Sequence, residues 1–185
     1  MTTLFIAGSI GLKHLDRQVL ERIERVVQQD FDIVVGDADG VDAAAQRHLL
    51  AIGATRVTVY CAGDTPRQNL GDWPVGAVAS PHARGSRAFF AAKDRRMAEL
   101  ADYGLMVWDA RSTGTLANIL EMLERRKKSA VFVNKLKAFE NIGNADQLEA
   151  LVARMSDSAR RRAEEKLQLS DRLLALRHEQ QRMFG

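Results

Sequence analysis

The sequence predicts an α/β fold: a doubly wound, Rossmann-like parallel sheet of about five strands with a C-terminal helical arm. Three observations lead there. Short apolar runs of about five residues recur, most of them closed by glycine or polar turn residues. Longer segments with helical apolar spacing separate them, and such βαβ alternation implies parallel strands covered on both faces. Past residue 143 the pattern stops, and residues 145–183 contain neither Gly nor Pro.

The first strand is TLFIA, residues 3–7, closed by Gly8-Ser9. Over residues 14–29, Leu15, Val19, Leu20, Ile23, Val26 and Val27 follow one helical face. FDIVV (31–35) is a second strand, residues 41–52 a helix with Asp42 in its first turn, and RVTVY (56–60) a third strand. Residues 61–85 hold all three prolines and read as a long loop with room for one short strand at VGAVA. A connection of this length is often a lid or a binding loop, and otherwise an ordered link without a role. Trp73 and Arg84 are its notable side chains.

The alternation resumes with a helix over 86–101, a strand GLMVWD (104–109), a helix over 114–127 and a strand AVFVN (130–134). Residues 1–143 therefore form a nucleotide-binding type of domain and residues 144–185 a helical extension, broken near Ser156-Asp157-Ser158. The extension carries Leu167, Leu169, Leu173, Leu174 and Leu176. That stripe suits packing on its own domain or a homo-oligomer formed through these helices.

Composition narrows the function. The chain has 185 residues, 46% hydrophobic and 28% charged, as a globular domain requires. No apolar run approaches the ~18–20 residues of a membrane span. The N-terminus lacks the basic region of a signal peptide, so a cytoplasmic location without a membrane partner is expected. Cys61 is the single cysteine, which excludes an intramolecular disulfide and reads as a buried thiol. Net charge is +3, with basic runs at 125–128 and 160–162. Acids lie near both runs and no aromatics interleave with them, so solvated helix faces are expected and nucleic acid is the least favoured partner.

In an open α/β sheet, ligands bind beyond the carboxyl ends of the strands. Three Gly-containing segments fall there: Gly8-Ser9, Gly36-Asp37-Ala38-Asp39-Gly40, and Trp108 to Thr115. Glycines let a phosphate approach the backbone, and a helix N-terminus supplies free amides. In the third segment Ser112, Thr113 and Thr115 offer hydroxyls and Gly114 a bare amide, although plain N-capping would select the same residue types. Asp37, Asp39 and Asp42 suit sugar hydroxyls, or Mg²⁺ held together with a phosphate, while Asp42 also suits a helix start. Asp109 is the best-placed carboxylate for chemistry, since an apolar cleft would raise its pKa. Neither G-x-G-x-x-G nor a P-loop occurs, the four histidines are scattered, and no constellation demands a metal or a cofactor.

GDADGVDAAA (36–45) and KDRRMAELADYGLMVWDARSTGTLANI (93–119) resemble the SLOG superfamily, over roughly residues 3–135. That Rossmann-like group includes the Lonely Guy phosphoribohydrolases and the DNA-processing A proteins, and the nucleoside deoxyribosyltransferases are similar in architecture. The likeness rests on Met97, Asp102, Gly114 and Thr115 and on the fold order. It implies a site for a nucleotide, with phosphate at Gly114-Thr115 and a contact from Lys93 or Arg95. The hydrolases' Pro-Gly-Gly is absent, and their catalytic Glu falls on Asn118, whose amide cannot act as an acid or base. Glu121 lies one helical turn further on the same face. The expected function is binding or sensing of a nucleotide or NAD-derived small molecule. The alternative is N-glycosidic chemistry on nucleotides through Asp109 or Glu121.

Overall fold

The computed structural model describes residues 1–184. The elements run β1 (Thr3–Gly8), α1 (Arg17–Gln28), β2 (Asp32–Gly36), α2 (Val41–Ala51), β3 (Val57–Ala62), β4 (Val75–Val78) and α3 (Arg87–Leu100). They continue with β5 (Tyr103–Trp108), α4 (Thr113–Glu124), β6 (Lys128–Val133), β7 (Ala138–Ile142), α5 (Ala145–Val152), α6 (Asp157–Leu167) and α7 (Leu169–Phe184). All strands join one sheet in the order β4-β3-β2-β1-β5-β6-β7. Six are parallel and β7 alone runs antiparallel, on β6. The winding reverses between β1 and β5, and a crevice opens at such a reversal.

The central strands are apolar on both faces because both faces are covered. Leu4, Ile6, Val35 and Leu105 pack against α1 and α2 through Val19, Ile23 and Leu49. On the other face Phe5, Met106, Trp108 and Val131 pack against α3, α4 and the C-terminal helices through Met97, Leu116 and Ile119. Side-chain caps start the helices: Asp16 for α1, Ser86 for α3, Ser112 for α4, Asn144 for α5 and Ser156 for α6.

The sheet has seven strands where about five were expected. β4 is the short VGAV run inside the 61–85 connection. β7, AFENI, lacks a strong apolar pattern and forms through a hairpin from β6, with Phe139 edge-on to Phe132 at 5.1 Å. The first half of the 61–85 connection is anchored to the body of the fold. The Trp73 indole donates to the Ala54 carbonyl at 2.9 Å, Asn69 Nδ2 donates to the Trp73 carbonyl at 2.7 Å, and the Leu70 amide donates to Gln46 Oε1 at 2.9 Å.

The C-terminal region forms three helices, broken at Ser156 as expected and again at Gln168, which has a left-handed φ of 52°. Its leucine stripe is buried within the chain: Leu169, Leu173 and Leu176 join the core around α4, while Leu174 is exposed. The expectation of a homo-oligomer through these helices therefore loses its basis, because the apolar face is already occupied. The 125–128 run also serves this packing. Arg125 pairs with Glu121, Arg126 with Glu179, and Lys127 Nζ donates to the carbonyls of Ala98 and Glu99. No helix among the described residues is long and apolar enough to cross a membrane.

Leu173→Ala and Leu176→Ala should each cost about 2–5 kcal/mol, and Leu174→Ala less than about 0.5 kcal/mol. Urea unfolding checks this. If the stripe served another copy instead, the midpoints would depend on protein concentration.

Candidate functional site

A cleft of about 1080 Å³ opens over the carboxyl ends of β1 and β5, walled by α3, α4 and α6. At its floor lies Lys93, from α3, only 3% exposed. Its Nζ donates to Asp94 Oδ1 at 2.7 Å and stands 3.9 Å from both Asp37 and Asp42. Burial works against the ammonium charge, yet Asp94, Asp42 and Asp37 together outweigh it and hold the Lys93 pKa above its ordinary value.

Three carboxylates share this one ammonium, and they are not equal. Asp37 is also opposed by burial, but Arg67 outweighs it. The Arg67 amide and Nε donate to Oδ2 at 2.9 and 3.2 Å, and Nη2 donates to Oδ1 at 2.7 Å. Hydrogen bonds and charge thus keep the Asp37 pKa low. Asp42 has only the Ala38 amide at 3.2 Å, and burial pushes its pKa up from 3.8 to about 7. Asp39 points outward, 3.4 Å from Gln68 Nε2. The three aspartates therefore do not converge on a common point as a sugar or Mg²⁺ site would need, and only Asp42 lines the cleft.

The glycines of the first two strand ends serve packing. A Cβ on Gly8 would lie 2.3 Å from the Val107 carbonyl oxygen, and one on Gly36 2.3 Å from Asp42 Oδ2 and 2.7 Å from Lys93 Nζ. Gly40, with φ of +76°, backs onto the Ile10 carbonyl. Ser9 is fully buried, and its Oγ accepts from the Asp109 amide at 3.1 Å and lies 3.4 Å from Thr115 Oγ1. It braces the end of β1 against the end of β5. Ser9, Gly36, Asp37 and Gly40 are buried behind the cleft surface and Asp39 is exposed outside it, whereas Gly8 reaches it.

The segment WDARSTGT builds a self-supporting turn. Asp109 Oδ1 accepts from the amides of Arg111 and Ser112 at 2.8 and 2.7 Å, around Ala110 at φ of 61°. The Trp108 indole donates to the Ser112 carbonyl at 3.0 Å. Ser112 Oγ accepts from the Thr115 amide at 3.3 Å and from the Thr115 hydroxyl at 3.1 Å. These hydroxyls cap the helix. The amides of Thr113 and Gly114 keep no partner among the described residues, and a Cβ on Gly114 would meet only Ser112 Oγ, at 3.9 Å. A helix start with two free amides, of the kind that can receive an anion, thus faces the cleft.

Asn118 and Glu121 follow along the same face of α4 and line the cleft. The Asn118 side chain is buried without a hydrogen bond among the described residues. Glu121 accepts from Arg125 Nη1 and lies 3.8 Å from Arg172. Asp102 accepts from the Thr3 amide at 2.8 Å, outside the cleft.

Several cleft residues were not singled out from the sequence. Arg67 and Phe90 meet there, with the guanidinium carbon 4.3 Å over the ring, away from the two basic runs noted in the sequence. Eight Lys and Arg side chains line the cleft against four Asp and Glu. Arg67, Lys93 and Arg172 are paired. Arg87, Arg95, Arg111, Arg162 and Lys166 form no ion pair among the described residues. Arg162 belongs to the 160–162 run, which was expected to be a solvated face.

No protein-family model matches the chain. No curated protein matches it either. Among solved structures, DNA processing protein A from Helicobacter pylori aligns with a TM-score of 0.58 and 16% identity, over 84% of this chain and 74% of that one. The fold is that of the DNA processing A proteins. The Streptococcus pneumoniae protein of that name gives 0.55 and 21% identity, over 82% of this chain and 56% of its own. Both agree with the resemblance to the SLOG superfamily. The Helicobacter structure is described for its single-stranded DNA binding mode. The expectation of a small nucleotide or NAD-derived ligand, with glycosidic chemistry as its alternative and nucleic acid disfavoured, is corrected by these neighbours and by the unpaired cations.

Asp42 yields a pH prediction. Its folded pKa of about 7 exceeds the ordinary 3.8, so the protonated form favours folding. That contribution is full below about pH 4 and fades as pH rises through the folded value. Urea midpoints measured from about pH 4 to about pH 8 should show Asp42→Asn gaining on the wild type as pH rises. A constant gap would exclude the assignment.

Proposed function

We propose that this cleft binds single-stranded nucleic acid, with single-stranded DNA as the leading candidate. The observation that carries the reading is the set of five unpaired cations on three elements. Arg87 and Arg95 lie on α3, Arg111 precedes α4, and Arg162 and Lys166 lie on α6. A mononucleotide concentrates its charge at one place, whereas cations spread along two walls suit a chain of phosphates. The free amides of Thr113 and Gly114 add a phosphate position between them. The binding described for the Helicobacter neighbour supports the same reading.

Within it, Arg95, Thr113 and Gly114 contact phosphate, and Asn118 offers its amide to a base or sugar. Ser9, Ser112, Thr115 and Asp109 shape the turn that presents these amides. Gly8, Gly36 and Gly40 permit the close packing behind it. Asp37, Asp42 and Lys93 fix the floor, and Glu121 holds Arg125 and Arg172 along one wall. A DNA partner is in keeping with the cytoplasmic location expected from the sequence.

Fluorescence anisotropy with labelled oligo-dT tests the proposal. Affinity should fall steeply between about 50 and about 200 mM salt, with each phosphate contact adding about 0.7 to the log–log slope. Replacing Arg95, Arg111 and Arg162 together by Ala should lower the slope by about 2. Absence of binding, or binding indifferent to salt, would sink the reading. Gly114→Asp makes a second, separable test. The position is open, and an acid in the first turn of a helix is favourable, so stability should hold. Binding should weaken about tenfold, because the new carboxylate repels phosphate at the amides.

A further inference from the structure

We infer that Arg67, seated over the Phe90 ring and held there by Asp37, is a stacking platform for one nucleobase. The inference rests on the proposed single-stranded nucleic-acid reading and deepens it. Phe90 lies on α3, and Phe89 meets it edge-on at 5.3 Å with an interplanar angle of 77°. The Arg67 guanidinium covers the Phe90 ring at 4.3 Å. Asp37, whose side chain is 3% exposed, receives both Nε and Nη2. Those bonds lie in the plane of the guanidinium fork and leave its faces alone. The Arg67 amide also donates to Asp37, so the backbone behind the side chain is fixed as well.

The result is a planar cation placed over a ring and bound along one edge to a carboxylate, with 43% of its side chain still exposed. Both Arg67 and Phe90 line the cleft, so a ligand lying there reaches the pair. Arg67 is a weak choice for a phosphate contact, because Asp37 already compensates its charge. It is a good choice for a base, since guanidinium planes stack on nucleobases and this one is held in position before the ligand arrives. Lysine could match the charge but not the plane. Stacking of this kind tolerates any base, which suits a strand bound without strong sequence preference.

The test compares oligo-dT with a strand of equal length whose sugars carry no bases. Wild-type protein should prefer the strand with bases by about tenfold. Arg67→Lys should bind the baseless strand as the wild type does and lose most of that preference. Phe90→Leu should also lower the preference, with thermal unfolding used to confirm that it folds. Equal wild-type affinity for the two strands overturns the platform while leaving nucleic-acid binding intact. Retention of the full preference by Arg67→Lys does the same. Failure to bind either strand overturns the functional reading and the platform with it.

Discussion

The cleft is organised around one buried ammonium. Lys93 draws together carboxylates from two parts of the chain, Asp37 and Asp42 from the turn after β2 and Asp94 from α3 itself. Asp37 in turn holds Arg67, and with it the connection that follows β3. A buried charge is tolerated only when paired and hydrogen-bonded, so each contact constrains the others. Of the two deeply buried carboxyls, Asp37 and Asp42, the one with less local support holds its proton more readily. That is Asp42, which has one amide where Asp37 has a bidentate arginine. Gly36 belongs to the same arrangement, because any side chain there would collide with Asp42 and Lys93.

The turn before α4 reconciles two explanations of one motif. Hydroxyls and glycine at a helix start suit both capping and anion binding, and the structure divides these roles among different atoms. Ser112, Thr115 and Asp109 satisfy the turn and the amide at the third helical position. The first two helical amides, of Thr113 and Gly114, are left for a ligand. A side-chain cap satisfies one of the orphan donors and leaves the rest directed outward.

Most of the fold was legible because periodicity reports burial. The apolar runs of β1, β2, β3, β5 and β6 are strands buried on both faces, and α1 shows its core face plainly. β7 was not legible. It is a polar edge strand of five residues, fixed by a hairpin and a ring contact and not by its own pattern. In the cleft lining, the strand-end rule pointed to Thr113 and Gly114, while the family resemblance pointed to Arg95 and Asn118. The rule could not show that Gly8 and Gly36 face neighbouring side chains and backbone, since glycine for close packing and glycine for phosphate read alike. The Arg67–Phe90 pair was invisible for another reason. Arg67 lies in the connection after β3 and Phe90 on α3, and the guanidinium is fixed by Asp37, a third residue remote from both in sequence.

Net charge also misled, because it averages over pairing. A surplus of +3 across 185 residues predicts little attraction for a polyanion. Much of the basic surface is bound to specific acids: Arg126 to Glu179, Arg154 to Glu140, Arg177 to Glu149 and Asp146. Those pairs contribute little field beyond a few ångströms. The cations of the cleft are arranged differently, with five unpaired around one concave surface, where like charges reinforce one another's potential. Five positive charges lining one cleft repel one another, and a compact ligand bearing one phosphate group would relieve only part of that repulsion. A phosphodiester chain relieves it at successive positions and releases a counterion at each. On the proposed reading, the spread of the unpaired charges along the cleft, more than their number, favours a strand over a mononucleotide.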